Sequence, residues 1–238
     1  MRRLPAVLAA VLAASSLLPA QALARSARDG QDTAAVKAAG AGAVKGKATF
    51  YRLRSGSGNC SYPSNPADDL YVALSPREYA AAGACGGYLN VTGPRGGVRV
   101  KVVDRCPECP AGHIDLSRTA FARIADPGKG TAGVTYRPVR DPRVGRPLSF
   151  RVKEGSSRWW LALLVADHGN PLASVEVRAA GGAWRRLARA DYNYWIAESG
   201  MGRGPFTVRV TDIRGHRATA TRVRLAAGVV QRTTVKMY

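Results

Sequence analysis

The sequence predicts an all-β chain with minor helix, organised as two domains. Gly at 26 and Pro at 14 in 238 residues provide turns throughout. From Gly46 onward, short β-type runs alternate with Gly/Pro/Asn punctuation. From Leu148 onward, apolar residues recur at every second position with no long helical pattern between them. At 46% hydrophobic residues the composition is one that folds, and the length suits one large or two modest domains.

The elements follow in chain order. Arg2 and Arg3, an apolar run from Leu4 to Leu18 and an Ala22-Leu23-Ala24 cleavage pattern predict a signal peptide over 1–24. Residues 25–45 are small and polar without a strand pattern, and read as a flexible tether. The first domain, 46–143, opens on the strand Ala48–Tyr51. Tyr88–Thr92 and Val98–Val102 flank Gly93-Pro94-Arg95-Gly96-Gly97 and predict a hairpin. Helical pieces are expected from Pro76 to Ala82 and after Ser117, where Phe121 and Ile124 lie at helical spacing.

The pattern resets near Asp141-Pro142-Arg143, and a second domain is expected over 146–238. Leu148/Phe150/Val152, Leu161/Leu163/Val165, Val175/Val177, Phe206/Val208/Val210, Val223/Leu225, Val229 and Val235/Met237 predict a β-sandwich of seven to eight strands. All four Trp lie in this half, with Trp184 and Trp195 expected in its core.

The formal net charge of +20 admits nucleic acid, an anionic membrane or an acidic extracellular polymer as partner. Removal of the leader leaves 34 basic against 16 acidic residues. Export disfavours nucleic acid, and no run reaches the ~20 apolar residues of a spanning helix. Acidic and neutral cell-wall polymers remain, met by a secreted, extracellular monomer. Residues 46–145 hold 14 basic and 8 acidic side chains, and residues 146–238 hold 16 and 6, so the excess leans toward the Trp-rich half.

Cys60, Cys85, Cys106 and Cys109 all lie in the first domain, and an even count in an exported chain predicts two disulfides. Cys85 and Cys106 lie symmetrically about a hairpin turn centred near Arg95-Gly96. They are expected to pair, leaving Cys60 for Cys109. A redox or metal role for Cys-Pro-Glu-Cys lacks a βαβ context and enough ligands, so neither a metal nor another cofactor is expected.

Period two places Asp104 on the face of Val98, Val100 and Val102, where a carboxylate is partly desolvated. Asp115 lies on the face opposite Ile114 and Leu116. Two acids entering one site from separate strands suit glycosidic-bond chemistry. Asp115 and Ser117 equally suit backbone hydrogen bonding at the following helix start. His113, His168 and His216 lack metal-ligand spacing and read as surface residues. In Lys153-Glu154-Gly155-Ser156-Ser157-Arg158-Trp159-Trp160 the adjacent rings suit an irregular loop where both face outward, and Tyr192 offers a further ring. Flat rings bury the apolar faces of sugars while neighbouring cations and amides meet the hydroxyls.

These stretches, together with Gly46–Tyr51, Val103–Glu108, Ile114–Ser117, Asp191-Tyr192-Asn193 and Thr211–Gly215, resemble the signatures of bacterial expansins from about Gly46 to the C-terminus. The resemblance implies a six-stranded double-psi β-barrel followed by an immunoglobulin-like, carbohydrate-binding β-sandwich. It implies a protein that binds cellulose and other wall polysaccharides and loosens the wall without hydrolysis. By resemblance Asp115 is the acid required for loosening, with Thr49 and Asp104 lining its groove. Trp159, Trp160 and Tyr192 form the cellulose-binding row, with Lys153 as a polar contact. Cys106 stands where some relatives carry a groove Tyr, so a disulfide replaces that contact here. The alternative on the same barrel is a polysaccharide-cleaving enzyme, an endoglucanase or a peptidoglycan lytic transglycosylase. A protease-inhibitor-like barrel fits the cysteines but not the appended Trp-rich sandwich.

Overall fold

The computed structural model describes residues 42–54, 56 and 58–238. The expected signal peptide and residues 25–41 of the expected tether lie outside the described residues. The tether's last two residues, Val44 and Lys45, are the start of β1 (Val44–Tyr51), paired with Tyr136 and Thr135.

The first domain adds β2 (Tyr71–Leu74), α1 (Pro76–Tyr79), β3 (Tyr88–Gly93), β4 (Gly96–Arg105), β5 (His113–Ser117), α2 (Arg118–Ile124) and β6 (Ala132–Pro138). The strands close a barrel in the order β1-β5-β2-β4-β3-β6, with β1–β5 and β2–β4 parallel. This is the six-stranded barrel that the resemblance implied. Its interior is filled by small and branched side chains, among them Ala48, Val72, Val100, Val102, Ile114 and Leu116. Helix α2 adds Ala120, Phe121 and Ile124 to that core. Its N-cap is Ser117, whose side chain accepts from the Ala120 N–H. Helix α1 stops at Tyr79, short of the expected Ala82. Ala80, Ala81 and Ala82 adopt φ of 52°, 48° and 67°, which turns the chain back toward Cys85.

Two expectations fail in β4, for related reasons. The hairpin pairs Gly93 with Gly96 and Tyr88 with Lys101, so its centre is one residue earlier than the cysteine argument assumed. Strand β3 begins only at Tyr88, and beyond Lys101 β4 runs along β2, so Cys85 is never opposite Cys106. The disulfides are Cys60–Cys85 and Cys106–Cys109, not Cys85–Cys106 and Cys60–Cys109. The register along β2 also slips: Val72 pairs with Val102, but Ala73 pairs with Asp104. Val103 is the extra residue of a β-bulge, and beyond it the alternation inverts. Asp104 therefore faces away from Val98, Val100 and Val102, on the side of Ala73 and Asp115.

The second domain comprises β7 (Ser149–Val152), β8 (Leu161–Ala166), β9 (Leu172–Arg178), β10 (Arg185–Arg186), β11 (Ala188–Arg189), β12 (Trp195–Ala197), β13 (Phe206–Asp212), β14 (Arg217–Val223) and β15 (Val230–Arg232). A four-stranded sheet β10-β9-β13-β14 faces a five-stranded sheet β11-β12-β8-β7-β15, all antiparallel. The count exceeds the expected seven to eight because β10 and β11 are two-residue pieces. Phe150, Leu163, Val175, Val208 and Trp195 lie in the core. Trp184 does not. It lies on the outer face of the four-stranded sheet between the guanidinium groups of Arg178 and Arg209, 4.7 and 4.2 Å from its ring centre.

The domains pack together through β8. Leu161, Leu163 and Val165 enter the sandwich core, while Ala162 and Leu164, with Tyr194, join the barrel's hydrophobic cluster. Polar contacts surround this seam: Ser61 Oγ donates to the Tyr192 carbonyl at 2.7 Å, and Asn193 Nδ2 donates to the Cys60 carbonyl at 3.0 Å. His168 is a seam residue, only 2% exposed, and not the surface residue expected. It lies 3.4 Å from the Tyr62 hydroxyl, near the Lys101–Asp167 ion pair.

Candidate functional site

The inverted face of the barrel wall assembles a polar site from four strands. Cross-strand register sets Thr49 beside Asp115 and His113 beside Lys47, and sets Asp115 and Asp104 on either side of Ala73. The two acids are thus separated by two strand spacings, about 9.5 Å of backbone. Tyr51, two residues after Thr49, falls on the same face.

The two carboxylates have different surroundings. Asp104 Oδ1 accepts the backbone N–H of Asn59 at 2.6 Å and of Arg105 at 2.8 Å, and Oδ2 accepts the Tyr51 hydroxyl at 3.3 Å. Three donors occupy it, so it is built to hold a loop in place. Among the described residues, Asp115 accepts only the Thr49 hydroxyl, at 2.7 Å. Burial pushes its carboxyl above the ordinary value. Thr49 and His113 oppose that rise, and the charges of Glu108 and Asp104 add to it. The Thr49 oxygen also lies 2.9 Å from His113 Nε2. Thr49 has one hydroxyl proton and gives it to Asp115, so the His113 contact requires a hydrogen on Nε2. Burial and the Asp104 charge raise Tyr51 far above the phenol range, so it remains a neutral donor.

The expected aromatic row occupies the sandwich side. Trp159 is 68% exposed, with the Arg158 guanidinium 4.5 Å from its ring centre. Trp160 is half-buried, and its Nε1–H donates to Glu198 Oε2 at 3.2 Å. An isolated bridge, Ser157–Trp160, closes the loop between them. Gly200 makes that loop possible. At φ 66°, a Cβ there would lie 2.2 Å from the Arg158 carbonyl oxygen and 2.5 Å from the Trp159 carbonyl carbon. Tyr192 is half-buried, its ring 5.9 Å from that of Tyr194, whose hydroxyl accepts from Arg151 at 3.3 Å. Lys153 and Tyr192 line a groove of about 330 Å³ with Asn59, Ser61 and Arg151.

Asn59 joins the two halves. Its N–H holds Asp104, and its Nδ2 donates to the Asp191 carbonyl at 3.0 Å, next to Tyr192. Thr49, Asp104 and Asp115 therefore share one face of the barrel wall, while Trp159 and Trp160 lie on the Gly200-backed loop and Lys153 and Tyr192 line the groove beside Asn59. Sequence reasoning missed Asn59, Tyr51 and Gly200, and set aside His113. Period two from Thr49 would have found Tyr51, and from Asp115 would have found His113. Cys106 and Cys109 pack with Ala73 and Tyr51 at the groove's edge.

Among the described residues one grouping has metal-ligand types: Asp141, Asp212 and His216. Asn170 Nδ2 donates to both aspartates at 2.7 Å, and Arg214 pairs with Asp141 at 2.9 Å. The cluster is filled by protein and ties the interdomain linker to the sandwich.

Residues 43–136 match the family model described as lytic transglycolase, and residues 148–224 match the expansin C-terminal domain. The chain is 37% identical to Expansin-YoaJ of Bacillus subtilis (strain 168) over 154 residues, covering 63% of this chain and 65% of that protein. It is 31% identical to Expansin-B16 of Oryza sativa subsp. japonica over 194 residues, covering 70% and 71%. A crystal structure of a Clavibacter michiganensis expansin matches with a TM-score of 0.79 at 46% identity, covering 83% of this chain and 98% of that one. The same expansin, as an aspartate-to-asparagine variant, has been crystallised with cellohexaose and matches equally well.

Proposed function

Because this chain belongs to the expansin family, we propose that it is a secreted protein that binds cellulose and related wall polysaccharides and loosens the wall without hydrolysing it. The observation that carries this reading is the contrast between the two groove carboxylates. Inverting hydrolysis needs a second carboxylate free to activate water. Asp104 already accepts two backbone N–H groups, from Asn59 and Arg105, on Oδ1 and the Tyr51 hydroxyl on Oδ2, and is committed to holding the loop. Asp115 is held half-buried with a raised affinity for its proton, suited to donate a hydrogen bond to a sugar oxygen.

Trp159, Trp160 and Tyr192 take the apolar faces of successive sugars, and Lys153 meets their hydroxyls. The chain continues past Asn59 into the barrel groove. There Asp115, Thr49 and His113 compete for hydrogen bonds that otherwise join one polymer to its neighbour. The basic excess concentrates the monomer on acidic wall polymers, without nucleic acid or membrane as partner. The cellohexaose complex of the Clavibacter relative supports the glucan as ligand.

A second reading has its own support. The barrel matches a model described as lytic transglycolase, and Glu108 adds its charge to the field at Asp115. Lytic cleavage of a peptidoglycan glycan strand proceeds with a single acid. The binding half of the proposal is tested by cellulose pull-down at high salt. The Trp159→Ala/Trp160→Ala/Tyr192→Ala triple variant should be lost from the pellet while wild type is retained. Equal retention of both would place the platform elsewhere.

A further inference from the structure

A second cavity, of about 570 Å³, is lined by Tyr51, whose hydroxyl reaches Asp104, and by Arg52, Asp69, Tyr71, Arg118 and Thr119. Its walls are pinned. The Tyr51 and Tyr71 rings meet at 82° with centroids 5.6 Å apart, and the Tyr71 hydroxyl accepts the Leu53 N–H at 2.9 Å. Asp69 is held by Thr119 Oγ1, which donates to it at 2.6 Å. The Arg118 guanidinium lies 5.3 Å from the Phe50 ring centre, and Arg118 is exposed. Arg52 is exposed. Among the described residues, no carboxylate lies within 4 Å of either guanidinium. Two cations therefore line an aromatic corner beside one acid, Asp69, which Thr119 hydrogen-bonds through one oxygen.

We propose that this cavity is a subsite for a carboxylated sugar, a uronic acid carried on the glycan in the adjoining groove. The inference rests on the reading of that groove as a glycan site. Tyr51 is the shared wall: its hydroxyl reaches Asp104 and its ring faces Tyr71. A pyranose in the corner sets its C–H face on an aromatic ring and its C6 carboxylate toward Arg52 and Arg118. A guanidinium is the donor best matched to a carboxylate, through two parallel N–H bonds. The neutral sugars of a plain glucan leave both cations unused.

The test is calorimetric titration of the full chain at fixed physiological salt with three probes. They are a cello-oligosaccharide ending in glucuronate, the same oligosaccharide with its carboxylate reduced to the alcohol, and a muropeptide disaccharide with a free lactyl carboxylate. Wild type should prefer the glucuronate probe to its alcohol by about tenfold, the scale of one charge-assisted hydrogen bond. The Arg52→Gln/Arg118→Gln variant should lose that preference and keep wild-type affinity for the alcohol. Arg52→Gln alone, at an exposed position, should lose part of it. A control of equal charge, Arg217→Gln/Arg224→Gln on the sandwich, should keep it. Preference that survives in the double variant, or vanishes in the control, assigns the effect to overall charge and overturns the subsite. Tighter binding of the muropeptide than of glucuronate overturns the uronate assignment. If the alcohol probe fails to perturb the His113 and Thr49 resonances, the glycan reading of the groove fails first. If it perturbs them but the carboxylate adds nothing, only the subsite fails.

Discussion

Thr49 donates its hydroxyl proton to Asp115 Oδ1 across 2.7 Å, from the position directly beside it on the neighbouring parallel strand. This bond favours the charged carboxylate and restrains a rise that burial alone would make larger. Thr49→Val should therefore raise the Asp115 pKa further, as read by carboxyl NMR titration. An unchanged or lowered value would show that Thr49 does not set the proton affinity.

The same shift fixes a stability prediction for Asp115. The folded state holds this proton more tightly than the unfolded chain, so stability falls as pH rises from the ordinary carboxylate value through the raised one. Ionised Asp115 is thus a stability cost at neutral pH. Asp115→Asn should unfold at pH 7 within about 0.5 kcal/mol of wild type or above it. A loss of several kcal/mol would mean that the carboxylate is there for folding.

Gly200 makes the most specific prediction about the platform. Gly200→Ala puts a methyl group 2.2 Å from the Arg158 carbonyl at a φ of 66°. The loop must move, and cellulose retention should fall even though no ring is deleted. Trp159→Ala should lose retention with unfolding unchanged, because its ring is 68% exposed. Full binding by Gly200→Ala would show that the loop's position is immaterial.

His168 gives the interdomain seam a pH dependence. Burial holds its pKa down at about 4, with Lys101 adding to the depression. The unfolded chain binds this proton near pH 6.5, so stability is lost progressively as pH falls from there toward 4. The loss is on the order of 3 kcal/mol at most. Thermal midpoints measured across that window should drop in wild type and flatten in His168→Asn. Parallel slopes would place the acid sensitivity elsewhere.

The periodicity made the strands legible: Ala48–Tyr51, the β3–β4 hairpin and the Leu161, Val175 and Phe206 runs all form where alternation predicts them. Side-chain direction was less legible. One extra residue, Val103, reverses β4, and no local signal announces a bulge in an unbroken Val-rich run. The cysteine pairing failed because β3 begins only three residues after Cys85, beyond the left-handed turn at Ala80–Ala82. His168 is buried by the other domain, and such burial has no sequence period. Trp184 is covered by two arginines that come together only across strands. Asp104 reached the expected site through the bulge, against the alternation that was used to place it.

The central claim is that Asp115 loosens contacts between polymers without cutting them. Wall strips held under constant load should be incubated with wild type or Asp115→Asn, with extension and soluble sugar followed on the same sample. Wild type should extend the strip and release no sugar, and folded Asp115→Asn should bind yet extend nothing. Steady sugar release by wild type that disappears in Asp115→Asn would contradict the account and establish cleavage.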